Sequence, residues 1–226
     1  MAREVYYTLV SSLPHLPHFE RAEWLPLSRK QLDKRLTMLE PGHGEQLALA
    51  EDLVQWHHQP VTRTSRQIVD RYRSLQSRLS HPALREFVEY RMSQRTALVA
   101  LRRRWRGFGP PAEGEVWGVG PWVRRIASCW DRPDLGVGFT FPWIEEAARW
   151  LEAGDARELE RILLGSVWQR LARIAERRPF GFEAVVSFVF RRDILQRWLS
   201  YDAQAGAARF QELISEVTRE HQQLFA

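Results

Sequence analysis

Residues 82–106 read PALREFVEYRMSQRTALVALRRRWR, and the side on which the seven arginines of this stretch fall decides how the chain is understood. The spacing predicts a helix from Pro82 to Arg106. At about 100° per residue, Arg91, Arg95 and Arg102 fall among Leu84, Phe87, Val88, Met92, Leu98, Val99 and Trp105, in the middle of the apolar arc. Arg85, Arg103 and Arg104 lie outside that arc, and Arg106 lies near its edge. Guanidinium groups on a core-facing stripe are costly unless carboxylates or carbonyls satisfy them, so the pattern predicts an internal polar seam.

Outward from this helix the chain reads as further helices. Toward the amino terminus, Ser28 is a good N-cap for a helix carrying Leu32, Leu36 and Leu39, with Pro41-Gly42 expected to end it. A second helix is expected from Glu45 to His57 and a third from Thr64 to Leu79, the latter with Ile68, Tyr72, Leu75 and Leu79 at helical spacing. The opening Val5-Tyr6-Tyr7-Thr8-Leu9-Val10 is β-rich and leaves open a short strand or an extended entry into the helices.

Toward the carboxyl terminus, Gly107 to Gly120 holds five glycines and two prolines and reads as a flexible linker. Asp131 to Pro142 is a second loop, after which Pro142 suits the first turn of a helix with Ile144, Ala147, Ala148 and Leu151. Asp155 and Glu158 make a capping-box-like start for Ala156 to Arg177. Phe182 to Phe190 is apolar nearly all round, but its continuation through Ile194, Leu195 and Trp198 is too long for an ordinary strand and favours helix. A last stripe of Phe210, Leu213, Ile214, Val217 and Leu224 predicts a terminal helix. The fold class expected is therefore all-α, eight or nine helices in a two-lobed array, with a short N-terminal strand as an open alternative. The lobes would span 1–106 and 142–226, separated by a Gly/Pro-rich linker region at 107–141, unless they pack as a single domain.

Composition narrows the function classes. Net charge is +5, and of 33 basic residues only Lys30 and Lys34 are lysines, so the basic pI of about 9.9 reflects an arginine bias with acidic residues interspersed rather than segregated. The single cysteine, Cys129, excludes an intramolecular disulfide and a cysteine-based metal site, and fits a cytoplasmic setting. No segment reaches the roughly 18 to 20 uncharged apolar residues that span a bilayer, so membrane association is expected only indirectly, through a protein complex.

Four constellations that invite chemistry have plainer readings. His57-His58, with His15 and His18, lacks carboxylates at ligand spacing, so no metal site is expected. The glycines of 107–120 match neither a P-loop nor a dinucleotide fingerprint. The ten tryptophans, at 24, 56, 105, 117, 122, 130, 143, 150, 168 and 198, are spread as core anchors are rather than clustered as stacking platforms. The carboxylates Glu145, Glu146 and Glu158 read as surface charges, whereas Glu160 borders the apolar stripe of its helix and is the carboxylate expected to meet Arg91, Arg95 and Arg102. Catalytic, cofactor-binding and metal residues are expected to be none, with no small-molecule substrate, while Arg103, Arg104 and Arg106 form a candidate partner interface.

The opening Tyr6-Tyr7-Thr8-Leu9-Val10-Ser11-Ser12-Leu13-Pro14 resembles that of a family of uncharacterised bacterial proteins encoded beside V-type ATPase genes. Phe141-Pro142-Trp143, Leu159-Glu160-Arg161, Trp168, Phe182 through Trp198, and Asp202, Gly206 and Phe210 resemble the same family and, more distantly, the C subunit of V-type ATPases, known in eukaryotes as the d subunit. The 82–106 segment is similar to a helix of that family bearing acidic, asparagine and arginine residues, with Glu89 and Arg102 in register. The chain departs from the pattern in being shorter than a full C subunit, and in carrying Arg91 and either Gln94 or Arg95 where the family tends to carry Asp and Asn. The resemblance implies an all-helical protein similar to the V-type ATPase C subunit, acting as a non-catalytic accessory or central-stalk connecting subunit of a bacterial V-type ATPase. Its partners would be rotor and stalk subunits, and its location cytoplasmic, peripheral to the inner membrane through the complex. The alternative is an Arg/Trp-rich nucleic-acid-binding protein, which requires Arg91, Arg95 and Arg102 to lie exposed on one basic face.

Overall fold

The structure, a computed structural model, describes residues 5–54 and 65–201, and every regular element among them is helical. The elements are α1 (Tyr7–Ser12), a 3-10 turn (Phe19–Arg21), α2 (Arg29–Leu36), α3 (Pro41–Val54), α4 (Ser65–Gln76), α5 (Pro82–Trp105), α6 (Val123–Ser128), α7 (Ile144–Glu152), α8 (Ala156–Glu176) and α9 (182–201). The protein is all-α. His57, His58, Trp56 and the expected terminal helix around Phe210 to Leu224 lie outside the described residues.

Local chemistry accounts for where several helices begin. Ser28 caps α2 by accepting from the Gln31 amide, and Gln31 reaches back to the Ser28 amide at 3.2 Å, the reciprocal pair of a capping box. Asp155 caps α8 in the same way, its carboxylate accepting from the Glu158 amide at 3.0 Å. Pro41-Gly42, expected to terminate α2, instead opens α3, while α2 has already ended at Leu36. A proline has no amide to lose in a first turn, so the same residue serves as a stop or a start according to the residues after it. The β-rich opening is helical from Tyr7 to Ser12, and no strand forms among the described residues. Tyr6 is held by its amide on the Phe180 carbonyl at 2.7 Å and by its hydroxyl on His43 Nδ1 at 2.6 Å, so tertiary contacts override the strand propensity of Val5 to Val10.

Among the described residues two hydrophobic clusters make the core, and α5 and α8 pass through both. The larger gathers α1 to α4, the first half of α5, the second half of α8 and α9, around Phe19, Phe87, Trp168, Phe190 and Trp198. The smaller gathers the second half of α5, residues 117–147 and the start of α8, around Trp117, Ile126, Trp130, Phe141 and Leu159. These clusters lie on opposite sides of α5. Its first half buries Leu84, Phe87, Val88 and Met92, whereas its second half buries Ala97, Ala100 and Leu101, whose directions at about 100° per residue are roughly opposite. Trp105, placed on the apolar arc by the sequence, is exposed, and Leu98 and Val99 are only half-buried. Five of the tryptophans, Trp117, Trp130, Trp143, Trp168 and Trp198, are buried as core anchors.

The glycine-rich stretch from Gly107 to Gly120 is packed against α5 over its final residues. Thr96 Oγ1 accepts from the Val119 amide at 2.9 Å and donates to the Val119 carbonyl at 2.8 Å. A Cβ on Gly118 would lie 2.5 Å from Thr96 Cγ2, and one on Gly120, at φ +92°, would lie 2.5 Å from Ser93 Oγ. These two glycines are required by close approach of the chain to the small side chains of α5 and, at Gly120, by a left-handed backbone. Thr96→Val keeps the shape but orphans both backbone groups of Val119, and a loss of about 1 to 3 kcal/mol is expected in chemical denaturation. An unchanged midpoint would show that this segment does not depend on the hydroxyl.

The arginine most deeply buried among the described residues is on α9. Arg192 is 2% exposed, donating from Nε to the Leu27 carbonyl at 2.9 Å and from Nη1 to Gln196 at 2.9 Å and Asp193 at 3.3 Å. It ties α9 to the segment preceding α2, and burial holds its guanidinium below the ordinary arginine range, with Asp193 opposing that effect. Arg192→Ala strands those acceptors, and a loss of roughly 3 to 5 kcal/mol is expected by denaturant unfolding. A loss under about 1 kcal/mol would mean that solvent replaces the guanidinium there.

Candidate functional site: an arginine cleft

α5, α8 and α9 enclose a cleft of about 270 Å³ that gathers Arg91, Arg95, Arg102 and Glu160, together with Gln94, Arg197 and Tyr201. Leu98 of α5 and Leu159, Leu163 and Leu164 of α8 form its apolar lining. The arginines reach it because Arg91, Arg95, Leu98 and Arg102 recur at intervals of four and three along one helical face. That face is the one α5 stops burying when it turns its other side to the smaller cluster. The arrangement is therefore a partly open wall rather than an internal seam. Arg91 and Arg95 are half-buried and Arg102 is exposed.

The pairing within the cleft also differs from the sequence expectation. Glu160 accepts from Arg197 Nε, and the Tyr201 hydroxyl is hydrogen-bonded to Glu160, which raises its pKa. Arg91 Nη1 donates to Gln94 Oε1 at 2.5 Å, and the Gln94 amide nitrogen donates across to the Leu163 carbonyl at 3.0 Å and to Ser166 Oγ at 2.8 Å. Gln94 is buried, so this amide joins α5 to α8 and fixes Arg91 in the same stroke. Sequence reasoning missed Arg197, Tyr201 and the bridging part of Gln94. The signals in the sequence were the arginine stripe of α5 and the adjacency of Glu160 to the apolar stripe of α8.

Electrostatically the cleft is crowded with one sign of charge. Among the described residues, four guanidinium groups line it against the single carboxylate of Glu160. Burial pushes Arg91 down to about 10, with repulsion from Arg197 adding to the effect and Glu160 opposing it. Arg95 and Arg102 are likewise lowered by burial first and then by a neighbouring arginine, Arg102 and Arg106 respectively. All remain charged near neutral pH. A second, wider groove of about 770 Å³ beside α7 and α8 has a different balance. There Arg161 pairs with Glu20 at 3.2 Å and Arg170 with Glu86 at 3.3 Å.

Arg103 and Arg104, expected to face a partner, are engaged within the chain. Arg103 forms a forked pair with Glu115 and donates to the Gly109 carbonyl at 3.3 Å, fastening the glycine-rich segment to α5. Arg104 donates to the carbonyls of Arg132 at 2.7 Å, Pro133 at 3.3 Å and Trp130 at 3.4 Å. Arg106 is exposed. Among the described residues no group of three His, Cys, Asp or Glu side chains is arranged to hold a metal ion. Nor is any described helix long and apolar enough to cross a membrane.

Comparisons of the chain with protein-family models, with curated proteins and with solved structures return no match. Geometry alone defines the site: an all-helical protein with an arginine-lined, leucine-floored cleft.

Replacing Gln94 by Met removes the bridge to Leu163 and Ser166 and the acceptor for Arg91, and is expected to cost about 1 to 3 kcal/mol. Arg102→Ala, at an exposed position, is expected to stay within about 0.5 kcal/mol of the parent. Urea titration of both variants checks this, and equal losses would place Arg102 in the core.

Proposed function

We propose that the chain is a non-catalytic accessory or central-stalk connecting subunit of a bacterial V-type, ion-translocating ATPase, joined to the membrane only through that complex. The single observation that carries the reading is mechanical. The longest helices among the described residues, α5 and α8, run through both hydrophobic clusters and are bonded to each other at Gln94, with a charged cleft beside them. A subunit that transmits force between two partners needs rigidity and a fixed grip, and close-packed aromatic cores supply the first. The resemblance of residues 6–14, 141–143, 159–161, Trp168 and 182–198 to the ATPase-associated family supports the same reading.

The nucleic-acid alternative gains the exposed Arg102 but loses five of the ten tryptophans as stacking surfaces, since those five are buried among core side chains. Affinity copurification of the tagged chain from its native membrane fraction is expected to recover rotor or stalk subunits of the ATPase. Recovery of none of them rejects the assignment. Retention of nucleic acid with a steep dependence on salt would favour the alternative instead.

A further inference from the structure

We infer that the chain pairs with a second copy of itself, each copy inserting Phe139 into the wide groove beside α7 and α8 of the other. This pairing goes beyond the ATPase assignment and does not rest on it.

The first argument is the way Phe139 is displayed. It is 101% exposed, more than any other large hydrophobic residue among the described residues, yet the loop that carries it is braced throughout. Val137 and Phe141, two positions to either side, are buried. The Asp134 carboxylate gathers the turn, accepting from the Gly136 amide at 2.9 Å, from Arg132 Nε at 3.1 Å and from the Gly138 amide at 3.4 Å. Arg125 donates to the Gly136 carbonyl, and Arg104 to the carbonyls of Arg132 and Pro133. Leu135 is fully buried in a left-handed backbone at φ +50°, a conformation that a leucine adopts only at a cost. The outcome of this ordering is a phenyl ring held out in water, where it forgoes burial. Interface anchors take this form, because a side chain ordered beforehand loses little freedom when a partner arrives.

The second argument is the receptor beside it. Phe139 and Thr140 form one edge of the groove of about 770 Å³, whose other walls include Tyr90, Trp143 and one face of α8. Gly165 stands in the middle of that face, and a Cβ there would meet nothing within 4 Å. Glycine weakens a helix interior, and packing does not require it here, so its effect is to deepen the groove. A cavity of roughly 150 Å³ holds a benzene ring, so the groove takes a phenylalanine side chain with the loop tip behind it. Arg161 is matched by Glu158 at 2.7 Å and Glu20 at 3.2 Å, and Arg170 by Glu86 at 3.3 Å, so an entering ring does not strand them. Arg170 already lies 5.1 Å from the centre of the Tyr90 ring, a cation–ring contact of the kind that the exposed Arg173 offers an incoming Phe139.

The third argument selects the occupant. Anchor and receptor adjoin on one surface, and the braced loop holds Phe139 out of its own groove. A two-fold axis passing between them sets each ring opposite the other copy's groove, so a single interface buries both rings and fills both grooves. An unrelated partner would match the ring or the groove separately, whereas a second copy matches both by symmetry.

The test is sedimentation velocity of the full-length chain at concentrations up to about 100 μM, where a dimer of micromolar affinity is well populated. A species of twice the 26.6 kDa chain mass is expected. Phe139→Ser is expected to raise the dimer dissociation constant at least about thirty-fold, as truncation of a buried aromatic anchor does. Gly165→Leu fills the groove from α8 and is expected to raise it about ten-fold or more while helix content and thermal midpoint hold or rise. Mixed together, the two variants are expected to associate more tightly than either does alone, because one intact ring then meets one intact groove. Phe108→Ser, at an exposed ring outside the groove lining, is expected to leave the dimer unchanged. A chain still monomeric at about 100 μM would overturn the reciprocal pairing. So would a dimer indifferent to Phe139→Ser or Gly165→Leu, equal weakening by Phe108→Ser, no gain on mixing the variants, or a mass that grows past two copies.

Discussion

The change of buried face along α5 is the constraint on which the rest of the structure depends. One hydrophobic cluster lies against one side of its first half and the other against the opposite side of its second half. In this helix of 24 residues bulky side chains occupy the first face, and mostly small ones, with Leu101, the second. Leu84, Phe87 and Val88 fill the first. Ser93, Thr96, Ala97 and Ala100 leave room on the second, and the backbone of residues 117–120 comes close enough to bond Thr96. The same changeover leaves the side bearing Arg95, Leu98 and Arg102 open to the cleft. Packing, loop attachment and site therefore follow from one geometric fact.

The arginines of the chain do three different jobs, and burial with partner chemistry separates them. Arg192 is a core strut satisfied by a carbonyl, an amide and a carboxylate. Arg103 and Arg104 are staples, drawing the segments after α5 back onto it through Glu115 and a set of backbone carbonyls. Arg91, Arg95, Arg102 and Arg197 gather around one cavity with a single carboxylate among its described lining residues. The guanidinium fork suits all three uses because it offers several donors in a fixed plane and keeps its charge when partly buried. The third group lines one cavity together with Glu160 and Gln94.

The body around the cleft is built to hold that group in place. α8 enters the smaller cluster at Leu159 and the larger from Leu164 onward, while Gln94 bonds it to α5 midway. Moving one wall of the cleft relative to the other would disturb both clusters together, and densely packed cores resist such deformation.

Much of the secondary structure was legible in the sequence because it is written in short-range terms. The caps at Ser28 and Asp155, the helical spacing of Ile68, Tyr72 and Leu75, and the length of the apolar run from Phe182 to Trp198 each depend on neighbours within a few positions. The co-location of Arg91, Arg95, Arg102 and Glu160 also followed from two helical stripes. Pro41, whose local signal fits a helix end as well as a beginning, was not decidable from its neighbours. The depth of each arginine was not decidable either, because a hydrophobicity wheel ranks Leu98 and Trp105 above Ala97 and Ala100 and assumes one buried face per helix. Arg192, hidden within an apolar run, found its acceptors at Leu27, far away in the chain. The sequence by itself determined that this protein is helical and which residues share a helix face. Only the tertiary structure decided which face meets the core, because burial depends on what lies on each side of a helix, and that is set by chain segments distant in sequence.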